Sequence, residues 1–475
     1  MHDWTAPSAD DISLLASITG PTGVREGEAA APYLQDPRDQ VQGQAAIVLR
    51  PQSTSQVASI VRHCAERRIG IVPHGGGTGL VGGQTQPTGV APVIVSLDRM
   101  TAIRAVVPEE NALIAEAGVI LADVQAAAER AGRLFPLSLA AEGSCRIGGN
   151  LSTNAGGVQV LRYGNARDLC LGLEAVLPNG EILQGLKTLR KDNTGYDLRH
   201  LLIGAEGTLG IITAAALKLF PRPGATVTAM LAVRSPTDAV DLLSFLRDEL
   251  GDAITAFELI QARGVDFLNA HHEGVVDPLD DPPEWRVLVE VIGPTESGLE
   301  DRVEASFAVA FEKGLATDGV LASSEAQRQQ MWWLRETIPE ANRKVGAVSN
   351  HDISVPIGRI AAFIDDGITA IEKIDPSLRI NCFGHLGDGN LHYNVFPAEG
   401  RRRDDYVNRR PEIKTAIHDL VHAHGGSVSA EHGIGRFKTE DLVKYGDPAK
   451  LAAMRAIKDA LDPNGIMNPG AVLAS

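Results

Sequence analysis

Two histidines, His385 and His392, flank Leu-Gly-Asp-Gly-Asn-Leu in the stretch from Asn381 to Val395. Asp388-Gly389 is a strong two-residue hairpin signal, because a type I′ turn needs positive φ at both central positions. Counting back from that turn pairs Gly387 with Asn390, Leu386 with Leu391 and His385 with His392, so the imidazoles are expected directly opposite one another. Opposed Cβ atoms lie roughly 5 Å apart, and two neutral imidazoles at that separation can chelate one divalent cation. Phe383 and Asn394 share their face by the period of two. A polar pair on a wet hairpin is the plain alternative. A second cluster moves the reading toward a metal: residues 429 to 435 read Ser-Ala-Glu-His-Gly-Ile-Gly. Glu431 completes a His₂Glu set with positions open to water or substrate, as catalytic metals have, and the mixed N/O ligands favour Zn²⁺. His432 is then available to move protons. Adjacent residues of an extended strand point oppositely, so Glu431 and His432 can serve one site only if the backbone there is irregular. Gly433 and Gly435 supply that irregularity.

Three glycine-rich segments form a second group. The first, Pro73 to Gly83, contains a literal G-x-G-x-x-G at Gly77, Gly79 and Gly82, with Asp98 downstream. A Rossmann site needs a helix opening on those glycines, and Gln84-Thr-Gln-Pro-Thr-Gly-Val-Ala-Pro cannot supply one, so NAD is not expected. The backbone N–H groups of this loop can instead line a diphosphate as a nest. The second segment is Gly143 to Gly157; the third runs from Asn193 through Gly204-Ala-Glu-Gly-Thr-Leu-Gly210. Three such segments imply a large cofactor.

On Pro73 to Gly83, Gly148 to Gly157, Gly204 to Gly210, His385 to His392 and Ala430 to Gly433, the chain resembles flavoenzymes of the vanillyl-alcohol-oxidase fold. Within them it is similar to the FAD-linked D-2-hydroxyacid dehydrogenases, over residues 40 to 475. The resemblance implies that Gly75, Gly76, Gly77, Thr78, Gly79 and Leu80 hold the FAD diphosphate, with Pro73 also at the cofactor. It places Pro136, Gly143, Ser144, Gly149, Asn150, Thr153 and Gly156 along the flavin and its ribityl chain. Glu206, Gly207 and Ile211 would surround the other half, and Asn468 would touch the flavin. His74 is not in a histidine-linked sequence context, so FAD is expected to be non-covalent. Arg335 and Asn394 would contact a substrate carboxylate, and His432 would be both substrate contact and base.

The implied reaction is oxidation of a D-2-hydroxy acid to the 2-oxo acid. The metal binds the C2 hydroxyl and carboxylate, His432 takes the proton, and hydride leaves for flavin N5. For D-2-hydroxyglutarate the family pattern has a threonine and a lysine where this chain has Pro339 and Asn350. That leaves D-2-hydroxyglutarate level with D-lactate, with Arg343 and Lys344 as further contacts. The electron acceptor is an electron-transfer flavoprotein, a quinone or a cytochrome. An oxygen-using oxidase and a non-catalytic subunit of a larger oxidase complex are the rival readings.

The elements that must position these groups follow an α+β pattern. Residues 1–222 are expected as the FAD-binding domain: a short helix near Ile12 to Ile18, a strand at 45–49, a helix capped by Ser53 and a strand at 69–72. Residues 223–425 are expected as a substrate-covering cap that carries the metal hairpin. In it, strand 225–234, helix 236–250, strands 253–260 and 286–293, helix 295–314 and strand 318–323 give a ferredoxin-like antiparallel sheet with helices on one face. Helix 324–346 carries Arg335. Residues 426–475 return as a C-terminal helical segment, with Asp447 capping and Pro448 opening its helix.

A chain of 475 residues implies two or three domains. A net charge of −16 argues against nucleic acid as a partner. No apolar run reaches the ~18 residues of a membrane span, and Met1 to Asp11 lacks the basic and apolar regions of a signal peptide, so a cytoplasmic protein is expected. A homodimer is compatible with all of this. Cys64, Cys145, Cys170 and Cys382 are widely spaced and suit reduced residues.

Overall fold

In the computed structural model, which describes residues 4–295 and 298–474, the chain forms two units. One comprises residues up to 157, 164–222 and 431 onward; the other comprises 158–163 and 223–430. The divisions fall at 222/223 and 430/431, and the short piece 158–163 crosses into the second unit.

In the first unit, Ser53 opens the helix Thr54–Arg67 by accepting from Gln56 N–H at 3.3 Å. That helix buries Val57, Ile60, Val61 and Cys64 at helical spacing. It packs on strands Ile47–Leu49, Val93–Ser96 and Ile71–His74, which are parallel neighbours in that order, with Val24–Arg25 antiparallel on the outside. The edge strand Ile71–His74 is completed by the far end of the chain: Ile71 N–H donates to Ile466 O at 2.8 Å, and Asn468 N–H to Ile71 O at 2.8 Å. A second, five-stranded antiparallel sheet has the order Ile103–Val107, Ala112–Glu116, Ile211–Lys218, Cys170–Val176, Ile182–Gly185. The second glycine-rich segment is not all loop, since Ile147–Ser152 is a short helix.

The second unit has the expected β-α-β-β-α-β order. Its strands Asp318–Leu321, Ala225–Val233, Trp285–Gly293 and Ile254–Gln261 lie side by side in a ferredoxin-like arrangement. An additional helix, Ala262–His271, follows the strand Ile254–Gln261, and the sheet continues through Arg379–Gly384, Asn390–Phe396 and Ser349–Ser354 to seven strands. Helices occupy both faces rather than one. Ala262–His271 and Glu325–Val345 cover the face bearing Met230, Leu288, Ile260 and Phe383, whereas Phe363 of helix Ile360–Ile374 packs on Tyr393 of the opposite face, ring centroids 5.6 Å apart.

The expected hairpin register is corrected. Phe383, not His385, pairs with His392, and the strands end at Gly384 and Asn390. Leu386–Asp388 form a 3₁₀ turn, so of the two predicted turn residues only Gly389 has positive φ (+87°). The connection is five residues long, and it reverses the chain through that 3₁₀ turn.

Candidate active site

On the sheet face covered by helix Glu325–Val345, the pairing register aligns Glu258 with Leu288, Ile260 with Phe383, and Phe383 with His392. His385, carried off the strand by the longer turn, still brings its ring to 5.9 Å from that of His392, centroid to centroid. The sequence pairing was therefore wrong in register and right in bringing the two imidazoles together. His385 Nδ1 donates to Glu258 Oε1 at 2.8 Å. With Nδ1 committed, Nε2 is the atom that can ligate a metal, and the ring's orientation is set by a carboxylate behind it. This donor chemistry fits a divalent cation.

Arg335 approaches the same carboxylate. Its Nε and Nη2 lie 2.9 and 2.8 Å from Glu258 Oε2, and its guanidinium stacks 4.9 Å from the Phe383 ring centroid. Glu258 is 1% exposed and Arg335 4%. Burial would raise the Glu258 carboxyl, but the Arg335 charge and the hydrogen bonds from His385 and Arg335 outweigh it and hold it well below the usual carboxylate range. Asn394 is also buried, and its Oδ1 accepts from His351 N–H at 3.3 Å. Lys344 is directed elsewhere, to Glu340 at 3.1 Å and His271 O at 3.3 Å. Pro339 and Asn350 are exposed.

In the first unit, the three glycine-rich segments line one groove of ≈ 850 Å³ including its open mouth, within the range of cofactor sites. Pro73, Gly75 to Gly79, Gly149, Asn150, Thr153, Glu206, Gly207, Ile211 and Asn468 border it, and so does His432. Leu80, Pro136, Gly143, Ser144 and Gly156 lie outside that wall, which instead includes His74 and Arg146. The first and second segments touch backbone to backbone. A Cβ on Gly76 would stand 2.5 Å from Ser144 O, and one on Gly75 would stand 3.2 Å from Gly149 Cα. His74 is 6% exposed. Its Nδ1 donates to Gly75 O at 3.1 Å, and its Nε2 has no hydrogen-bond partner among the described residues. An orphaned acceptor in a glycine cradle of this size suits a bound dinucleotide such as FAD. Burial pushes the His74 imidazole down to about 4, so it is neutral.

Glu206 was predicted beside the cofactor, and it also fixes the segment bearing His432. With φ +51°, it accepts from Ile434 N–H at 2.7 Å and Gly435 N–H at 2.8 Å. Burial raises its carboxyl, opposed by those two N–H groups and Arg436. Arg436 bonds Gly82 O, Gly83 O and Asn468 Oδ1, each at 2.8 Å. The backbone bends at Glu431 and His432 and turns through Gly433 (φ +81°) and Gly435 (φ +50°), so it is irregular where the sequence required it to be. Glu258 and Arg436 were missed. The sequence signal for Glu258 is a lone carboxylate inside Ala256-Phe-Glu-Leu-Ile260, which alternation alone assigns to solvent.

Residues 222–472 match the family described as FAD linked oxidases, C-terminal domain, and residues 45–185 match the FAD binding domain family. The chain is 37% identical over 471 residues to a protein of Arabidopsis thaliana named D-2-hydroxyglutarate dehydrogenase, mitochondrial, covering 99% of this chain and 82% of that one. It is 36% identical over 428 residues to the D-2-hydroxyglutarate dehydrogenase of Stutzerimonas stutzeri (strain A1501), covering 90% and 91%. A solved structure of 4-ethylphenol oxidase from Gulosibacter chungangensis superposes with a TM-score of 0.74 at 20% identity, covering 99% of each chain. The fold is that of the vanillyl-alcohol-oxidase-type flavoproteins. The expectation of a cytoplasmic protein is corrected here, because the Arabidopsis relative is named as mitochondrial. The composition of the chain and the pattern of its first eleven residues do not decide a compartment. No helix among the described residues is long and apolar enough to cross a membrane.

Proposed function

Because this chain belongs to the FAD-linked D-2-hydroxyacid dehydrogenases and is an FAD-dependent enzyme of that class, we propose that it oxidises its substrate at C2 with His432 as general base. The observation that carries this is the position of His432 in the wall of the groove that fits FAD. FAD held in that groove would supply the hydride acceptor at N5, and a divalent metal, with Zn²⁺ the best match to its ligands, would polarise the substrate hydroxyl.

His385 and His392 of the second unit and Glu431, one peptide bond beyond that unit, are the proposed ligands. Glu258 behind His385 supports the assignment, since ligating histidines are generally oriented by such a carboxylate. His432 removes the hydroxyl proton as hydride leaves, and a neutral imidazole titrates near the working pH. Glu206 holds the backbone after His432 through two N–H bonds, which limits how far the base can drift. Arg335, fixed by Glu258, presents its remaining N–H donors to the substrate carboxylate, with Asn394 on the same face.

The relatives' names favour D-2-hydroxyglutarate as substrate. Exposed Pro339 and Asn350 leave D-lactate as the second candidate. FAD would be held without a covalent bond, and an electron-transfer flavoprotein, a quinone or a cytochrome would be the electron acceptor. Peroxide formation stoichiometric with substrate would instead make the protein an oxidase, and absence of any substrate-driven flavin bleaching would leave it a non-catalytic subunit.

Removing the metal with a chelator should abolish bleaching of the flavin band by D-2-hydroxy acids while FAD stays bound. His432→Ala should keep metal and substrate but reduce flavin about 10² to 10⁴ more slowly. Loss of metal in His432→Ala with retention in Glu431→Ala would reverse the two roles. A metal-free wild type that resists chelators would remove the metal from the mechanism.

A further inference from the structure

A buried ion pair alone does not account for Glu258. Desolvating a carboxylate is so unfavourable that apolar residues of similar volume often replace such pairs without loss of stability. Glu258 also divides its oxygens: Oε2 accepts from Arg335 Nε and lies 2.8 Å from its Nη2, while Oε1 accepts from His385 Nδ1. Neutral imidazole exists as two tautomers, and only the form with hydrogen on Nδ1 leaves the Nε2 lone pair for a cation. His385 sits in a turn outside the strand, so the sheet does not fix its ring.

We propose that Glu258 is a positioning residue for the metal centre. It locks His385 into the Nδ1–H tautomer and sets its ring against His392, and Arg335 is the counter-ion that lets a carboxylate remain in that dry place. The inference rests on the reading of His385 as a metal ligand. It adds that metal affinity depends on a residue of the central strand that touches no metal.

The test is a zinc competition titration against a chromogenic chelator, on FAD-loaded protein whose bound-flavin spectrum reports an intact fold. Glu258→Leu combined with Arg335→Leu removes both charges at similar volume, which protects folding. It should bind zinc 10- to 100-fold more weakly than wild type. Glu258→Gln combined with Arg335→Leu retains an oxygen that can accept from Nδ1, and should bind zinc within a few-fold of wild type. Wild-type affinity in both variants would overturn the proposal, and so would equal weakening in both, because the defect would then follow Arg335 or the packing. A wild type that takes up no zinc would instead overturn the metal reading on which the proposal stands.

Discussion

His74 is the clearest case of a single residue whose surroundings decide its chemistry. Burial lowers its imidazole to about 4, against which the Gly75 carbonyl and Asp98 act only weakly. The unfolded chain, with a histidine near 6.5, binds a proton below that pH that the native state refuses. The stabilisation is therefore present above pH 6.5 and is lost as pH falls from 6.5 toward 4, on the order of 3 kcal/mol in total. Urea unfolding of the FAD-free protein at pH 7.5 and 4.5 should show wild type losing more stability than His74→Phe. Equal losses would mean that His74 titrates normally in the native state. At this scale the sequence was most legible where residue type carries chemistry: His385, His392, Glu431 and His432 stand out by kind and spacing. Glu258 did not, because its burial depends on a helix that arrives 67 or more residues later in the chain.

Among the elements, the glycine loop after strand Ile71–His74 and the helix Ile147–Ser152 show how close approach substitutes for side-chain packing. Gly76→Ala would place a methyl 2.5 Å from Ser144 O and 2.9 Å from Cys145 Cα, both backbone atoms that cannot swing aside. Separating the segments should weaken FAD by about 1 to 3 kcal/mol, measured as flavin fluorescence quenching on titration, with the second unit's circular dichroism preserved. FAD affinity equal to wild type would show that the contact is not part of the cradle. Helix Glu325–Val345 has a different logic. Arg328 and Trp332 reach Glu290 at 3.4 and 2.8 Å, Arg335 reaches Glu258, and Asn342 accepts from Asn381 at 2.9 Å. Those four lie on one helical stripe, so this helix buries polar groups deliberately paired with the sheet. A helix over 324–346 was expected from the sequence, but which of its polar residues turn inward was not. The hairpin failed in the opposite way: Asp388-Gly389 marked the reversal correctly, yet Asp388 adopted the 3₁₀ turn and moved the register by two residues.

For the molecule as a whole, the cofactor groove belongs to one unit alone. FAD at 100 times its dissociation constant should stabilise that unit by about 2.7 kcal/mol, seen as a rise in its thermal midpoint, and acid or denaturant should release all the flavin into the filtrate. Flavin that stays with the polypeptide would mean a covalent link, and NAD giving the same rise would mean that the G-x-G-x-x-G reading was dismissed wrongly. The ferredoxin-like order was readable because each strand and helix is separately periodic. The pairing of residues 466–468 with Ile71 was not, because no local pattern announces a partner at such a distance. Asn464 Nδ2 reaches Ala65 O at 3.1 Å across 399 positions of sequence. A ribosome adding roughly 5 to 20 residues per second needs about 20 to 80 s to travel that far. Throughout that interval the newborn strand Ile71–His74 waits with one edge unclaimed, while the entire second unit is synthesised and has time to fold. The period of greatest exposure to chaperones, proteases and misassociation is thus written into the order in which this chain is made.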